Sequence, residues 1–109
     1  QSIDRNVIEV IEDGEDNLSD NGLTVISLPA SIHFNVIKKL DAPLTIAIYN
    51  PEHNLYTFRK QEKTIPSVGD YYSILRTEDY STVIEGVNEL QVWSGDELIL
   101  VYPFLLSKS

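Results

Sequence analysis

The sequence contains no cysteine, few glycines and only two histidines. The absence of cysteine excludes disulfide bonds and thiolate metal sites. The five glycines lie singly in turn-like segments, so there is no glycine-rich phosphate loop, and no Gly-x-Ser-x-Gly elbow is present. His33 and His53 lack the HxH or HxxxH spacing of paired metal ligands. We therefore predict a protein without a metal, a cofactor or catalytic residues.

Long hydrophobic runs are also missing. The longest apolar stretch, residues 98–106, has the length of a strand and is interrupted by Pro103, whereas a membrane span needs about 20 residues. A chain of 109 residues has the size of one domain with one hydrophobic core, which we assign to residues 1–109. We expect no membrane partner. The absence of cysteine is compatible with the cytoplasm, and the sequence leaves open whether a leading segment was removed.

Acidic residues outnumber basic ones by 17 to 8, which gives a net charge of −9. Such a charge keeps a protein soluble and repels nucleic acids at long range. The stretch 33–63 is the exception, with five cations against three acids and a local charge of +2. Its cations are Lys38, Lys39, Arg59, Lys60 and Lys63. If the protein has a polyanionic partner, we expect contact in this central stretch.

Short apolar, β-branched segments separated by turn residues recur along the chain. This pattern predicts a mainly β (α+β) fold, a small barrel or curled sheet of six to eight short strands. The predicted strands cover residues 3–12, 23–28, 44–49, 55–60, 71–77, 82–85, 90–94 and 97–102, with a hairpin turn at 50–54 and a turn at 86–89. The apolar spacing of 3–12 also suits a helix, but its β-branched content favours a strand. One short helix is predicted after Pro29, because Ser31 offers an N-cap and apolar residues follow at helical spacing as far as Leu40.

The hairpin arm 55–60 combines aromatic and cationic side chains. Strict alternation along a strand places Tyr56, Phe58 and Lys60 on one face and Arg59 on the other. If the Tyr56 face is exposed, the aromatics and cations form a stacking platform for single-stranded nucleic acid; if it is buried, they belong to the core. The candidate RNA-binding residues are Lys38, Lys39, Tyr56, Phe58, Arg59, Lys60, Lys63 and Arg76.

A second hypothesis is a protein-interaction module. Its partner would be a basic protein that binds either an exposed strand edge or an acidic face. The residues of that face would be Asp70, Glu78, Asp79, Glu85 and Glu89. The oligomeric state and the identity of the partner do not follow from the sequence.

Two segments resemble a known family. Residues 25–31 (VISLPAS) form a strand that closes in proline and precedes the apolar strand 44–51 (LTIAIYNP). In this they resemble small accessory proteins of Gram-positive conjugative elements. With its two Gly-Asp turns, at Gly69 and Gly95, the layout is similar to PrgU-like proteins of enterococcal pheromone-responsive plasmids. The resemblance implies a PUA-like pseudo-barrel and a cytoplasmic regulator that binds RNA and limits the production of surface adhesins.

Overall fold

Eight β-strands make up the regular structure of the described part of the chain. The structure is a computed structural model, and it describes residues 8–12, 23–27, 32–74 and 81–108. The strands are β1 (Ile8–Glu12), β2 (Thr24–Ser27), β3 (Ile32–Val36), β4 (Leu44–Asn50), β5 (Leu55–Gln61), β6 (Tyr71–Ile74), β7 (Gly86–Ser94) and β8 (Glu97–Ser107). Within these ranges no helix is long and apolar enough to cross a membrane.

The strands form two hydrogen-bonded sheets. A three-stranded antiparallel sheet has the order β1-β3-β6, and a five-stranded sheet has the order β2-β8-β7-β4-β5. In the five-stranded sheet β2 pairs parallel to β8, and every other pair is antiparallel. Strand β5 is therefore an edge strand of the larger sheet among the described residues, while β4 and β7 lie inside it.

One hydrophobic core lies between the two sheets. Strand β3 buries alternate residues, Ile32, Phe34 and Val36, and β4 likewise buries Leu44, Ile46 and Ile48. These alternate residues give each sheet an apolar inner face, and the two inner faces pack against each other as a sandwich. Full burial of a side chain of this size contributes about 1.5–3 kcal/mol. The core is completed by Ile26, Leu40, Ile74, Val83, Leu90, Val92, Ile99, Leu100, Tyr102, Phe104 and Leu106.

The mainly β prediction is confirmed, and the eight strands found among the described residues agree with the predicted number of six to eight. The predicted helix is wrong, because β3 occupies residues 32–36. The apolar residues of this segment fit a period of two as well as a helical one, and its β-branched side chains favour a strand. The strands also form two separate sheets rather than the single curled pseudo-barrel that the resemblance implied.

Two strand boundaries differ from the prediction near the end of the chain. The predicted strand 82–85 is a turn, and the predicted turn 86–89 is part of β7. The polar residues of 86–89 indicated an exposed turn, but Asn88 is fully buried and hydrogen-bonded within the fold. Strand β8 also continues beyond Pro103 to Ser107. The predicted segments 3–7 and 75–77 lie outside the described residues.

Candidate ligand-binding site

The outer face of the five-stranded sheet carries the candidate site. In β4 the alternation of side chains places Thr45 and Ala47 on the face opposite to that of the core positions, and Ala47 is itself only 2% exposed. Ala47 lies directly opposite Arg59 of β5 on one side and opposite Gln91 of β7 on the other. Side chains directly opposite each other in an antiparallel pair share a face. Arg59 and Gln91 therefore flank the small side chain of Ala47 on the outer face.

A β-bulge places Tyr56 on this same face. Ile48 pairs with Phe58, but the next residue, Tyr49, pairs with Tyr56, so Thr57 is the extra residue on β5. A bulge shifts the alternation of one strand relative to its neighbour. The alternation predicted from the sequence was therefore wrong: Tyr56 shares a face with Arg59, whereas Phe58 packs against the core.

These side chains line an open cleft of about 300 Å³, which we call the aromatic cleft. Ligand pockets commonly occupy about 300–1,000 Å³, so the cleft lies at the small end of that range. The small side chains of β4 form its floor, and aromatic and charged side chains rise on both sides. The lining residues are Thr45, Ala47, Tyr56, Arg59, Trp93, Gly95 and Asp96.

The side chain of Tyr56, which forms one side of the cleft, is held through both its ring and its hydroxyl. The ring contacts the ring of Tyr49, with centroids 4.8 Å apart and planes inclined by 51°. The hydroxyl donates a hydrogen bond of 3.0 Å to Oε1 of Gln91, two strands away. The Tyr49 hydroxyl donates to Oδ1 of Asn54 in the β4–β5 turn. Tyr56 is 48% exposed, so a fixed ring is presented to solvent.

Trp93 and the turn after β7 form the opposite side of the cleft. Trp93 lies opposite Thr45 and is partly buried. The following turn is tied to the segment before β4, because the Gly95 N–H donates to the Pro43 carbonyl at 3.0 Å. Gly95 has a φ of 60°, and a Cβ there would lie 3.1 Å from Cβ of Ala42. Glycine thus allows the close approach that positions Asp96.

Two opposite charges at the cleft have no partner among the residues that the structure describes. Neither the Arg59 guanidinium nor the Asp96 carboxylate makes a hydrogen bond or ion pair within the described residues. By contrast, Lys60, the neighbour of Arg59, forms an ion pair with Glu62 at 3.6 Å. The cleft therefore offers both a multiple donor and an acceptor that remain available to a ligand.

The structure brings only part of the predicted RNA-binding set together. Tyr56 and Arg59 share the cleft, while Phe58 packs against the core. Lys60 lies opposite the core residue Ile46, on the other face of β5. The remaining described cations lie outside the cleft lining: Lys38 and Lys39 are exposed between β3 and β4, and Lys63 is exposed after β5. Arg76 lies outside the described residues.

The sequence did not indicate Trp93, Asp96 or Ala47 as site residues. Trp93 meets Thr45 through strand pairing across 48 positions of the chain, and no local spacing signals such a contact. The Gly95-Asp96 turn was predicted, but its position beside the cleft depends on that pairing. The floor residue Ala47 is inconspicuous in the sequence.

The other candidate residues make local structural contacts. His33 lies on β3 and its ring stacks on Tyr71 at 5.5 Å. His53 lies in the predicted hairpin turn, where its backbone N–H and Nδ1 both donate to Oδ1 of Asn50. In the described ranges, no group of three possible ligands gathers as a metal site.

The three described members of the predicted acidic face each accept a hydrogen bond. Asp70 accepts the N–H of Ser67 at the start of β6, and Glu89 accepts from Gln91 on the outer face of β7. Glu85 accepts the N–H of Lys108. The two remaining members, Glu78 and Asp79, lie outside the described residues.

Two facing sheets of antiparallel strands, with one parallel pair at the edge, define this chain as a β-sandwich. It is similar to a crystal structure of an immunoglobulin-like protein from Pseudomonas aeruginosa, with a TM-score of 0.56. The two chains are 21% identical, and the alignment covers 95% of this chain and 94% of the other. The likeness shows an immunoglobulin-like fold. No protein-family model matches the sequence, and no curated protein matches it.

Proposed function

We propose that this chain is a non-enzymatic binding module that recognises its ligand in the aromatic cleft. One observation carries the proposal: Tyr56, Arg59, Trp93 and Asp96 converge from β5, β7 and the following turn on one hollow. Aromatic surface with a few convergent, unpaired polar groups is typical of ligand sites. The hydrogen bond of Tyr56 to Gln91 supports the proposal further, because a wall that is already ordered lowers the entropy cost of binding.

The composition of the cleft favours binding over catalysis. General acid–base and nucleophilic mechanisms need titratable groups within hydrogen-bond reach of one another. Asp96 is the single carboxylate of the lining, and His33 and His53 both lie elsewhere in the fold. A guanidinium and a carboxylate at opposite sides of a cleft are suited to orienting a ligand.

The test is a fragment screen mapped by NMR on the isotopically labelled chain. We expect small polar and aromatic fragments to shift the amide signals of Thr45, Ala47 and Gly95. Ala47→Leu, which fills the hollow, should remove these shifts. The control Val87→Leu enlarges an apolar side chain that is 38% exposed and lies outside the cleft lining, and it should leave the shifts unchanged. Fragments that bind the domain but leave the cleft signals unmoved would overturn the proposal.

RNA binding remains a second candidate, and one observation favours it. The half-exposed ring of Tyr56 lies beside Arg59 in the cleft, and an aromatic next to a cation is a stacking site for a base. The regulatory role in a conjugative element and the cytoplasmic location remain predictions. So does the protein-interaction hypothesis, for which the described edge of β5 offers unpaired backbone groups.

A further inference from the structure

We propose that the ligand of the aromatic cleft is a neutral carbohydrate, with one sugar ring lying on the aromatic walls between Arg59 and Asp96. This inference rests on the proposed function and names the chemical class that the cleft recognises. It depends on three features of the cleft: its two opposite charges, its aromatic surfaces and the small side chains of its floor.

The two opposite charges of the cleft favour a ligand group that both donates and accepts hydrogen bonds. Arg59 can only donate, and the Asp96 carboxylate can only accept. A hydroxyl group does both, so the adjacent hydroxyls of a sugar can satisfy the two side chains together. An anionic ligand would pair with Arg59 but would meet Asp96 and a chain of net charge −9. A cationic ligand would be attracted by Asp96 and by the net charge but repelled by Arg59, and the neutral hydroxyls of a sugar avoid either repulsion.

The aromatic walls offer mainly ring surface to a ligand. The Tyr56 hydroxyl is already used by Gln91, and Gln91 donates onward to Glu89 at 3.1 Å. Tyr56 therefore presents its ring to a ligand. Trp93 provides a second, larger ring on the other side of the cleft. A pyranose ring has one face of C–H groups, and that face packs on an aromatic ring while the hydroxyls project sideways.

The floor leaves room for such a ring. Ala47 and Thr45 are small, and Gly95 has no side chain, so these positions leave the cleft its volume of about 300 Å³. Because the cleft is open, a longer saccharide can extend beyond it along the sheet. A shallow site of this kind predicts modest affinity, since much of the ligand stays in water.

The experiment uses the intrinsic fluorescence of Trp93, the only tryptophan of the chain. The intact protein is titrated with cellotetraose, chitotetraose and mannotetraose, and with tetragalacturonate as the anionic counterpart. We expect at least one neutral tetrasaccharide to change the emission saturably, with a dissociation constant that is insensitive to salt. Tetragalacturonate should bind more weakly than the best neutral probe.

Variants then locate the binding. Asp96→Asn keeps the size of this exposed turn residue but replaces one of its two acceptor oxygens with an NH₂ donor. We expect about tenfold weaker binding. Arg59→Gln should weaken binding by a similar factor of about ten. Lys60→Gln is the matched control, because it removes the adjacent cation on the opposite face of β5; its binding should equal that of the unmodified chain.

The outcomes separate the two proposals. If fragments bind the cleft and no neutral saccharide does, the carbohydrate class is wrong and the binding site stands. If neither binds, both proposals fail. Stronger binding of tetragalacturonate, with a steep loss at high salt, would also overturn the carbohydrate inference. So would saccharide binding that Lys60→Gln weakens as much as Arg59→Gln does.

Discussion

The Tyr56 hydroxyl donates a 3.0 Å hydrogen bond to Oε1 of Gln91, across the intervening strand β4. Gln91 is 8% exposed and donates from Nε2 to Glu89. Three side chains on two strands thus form a polar chain above the sheet. The chain joins the described edge strand β5 to the interior strand β7, and it fixes the ring that walls the aromatic cleft.

We expect Tyr56→Phe to lower the free energy of unfolding by about 1 kcal/mol, the usual net value of one hydrogen bond. The ring is kept, so the loss is that of the hydroxyl and of a partner for Gln91. The measurement is denaturant unfolding followed by Trp93 fluorescence. Tyr71→Phe is the control, because Tyr71 is 61% exposed and interacts through its ring with His33. Equal losses in both variants would show that the bond to Gln91 contributes nothing.

A second prediction concerns the buried amide pair. Asn88 is fully buried; Nδ2 donates to the carbonyls of Ile84 at 2.8 Å and Gly86 at 3.1 Å, and Oδ1 accepts from Asn50. We expect Asn88→Ala to cost about 2–3 kcal/mol, because it leaves buried polar groups without partners. This loss should not depend on pH between 4 and 7.

Asn88→Asp should behave differently, because an ionised carboxylate would face the carbonyl oxygens of Ile84 and Gly86. Burial and these oxygens should raise the pKa of the introduced carboxyl in the folded state. A raised folded pKa means that its stability contribution is present at low pH and is lost as the pH rises through that value. Unfolding measured from pH 4 to 7 should show this fall, and a profile parallel to that of Asn88→Ala would contradict it.

How far the sequence determined these features is clear from β4 and β5. The segment 44–49 was predicted as a strand from its β-branched residues, and Asn50–Asn54 was predicted as its turn. Both hold, because local propensity and turn chemistry agree there. The bulge at Thr57 could not be predicted, since it depends on the register against Ile48 and Tyr49. One inserted residue thus decides that Tyr56 lies beside Arg59.

The same limit applies to the cleft and to β3. Trp93 and Ala47 meet through pairing of β4 with β7, which local patterns do not encode. In β3 the spacing of Ile32 and Val36 suits a helix, but with Phe34 it also suits a strand. Packing of the alternate residues against the opposite sheet decides between them.

A third prediction concerns Tyr72, which packs between the sheets with its ring stacked on Phe34 at 5.2 Å. Burial raises the pKa of the Tyr72 phenol, and the negative charges of Asp70 and Glu62 raise it further. Because the folded pKa is above the unfolded value of about 10, the neutral form contributes stability below pH 10. That contribution is lost as the pH rises from there through the folded pKa.

The free energy of unfolding, measured from pH 9 to 11.5, should therefore fall as the pH rises. In the Tyr72→Phe variant it should fall less steeply. The control is again Tyr71→Phe, which removes a neighbouring exposed phenol and should keep the slope of the unmodified chain. The same slope in the unmodified chain and in Tyr72→Phe would assign the alkaline loss to other groups.

The RNA hypothesis makes a fourth prediction, which rests on the number of cations that the cleft provides. Each phosphate neutralised on a single strand contributes a slope of about −0.7 to the dependence of log K on log salt. Arg59 is the single cation of the cleft lining, and Lys60 faces away and pairs with Glu62. Any binding of a ten-nucleotide oligouridylate at the cleft should therefore show a slope of about −0.7 by fluorescence anisotropy. Arg59→Gln should abolish that slope, while Lys60→Gln should preserve it. A slope several times steeper would contradict this prediction. If substitution of Lys38, Lys39 or Lys63 then reduced the slope, the RNA would lie on the loops that join the two sheets, because only several lysines acting together could release so many counterions.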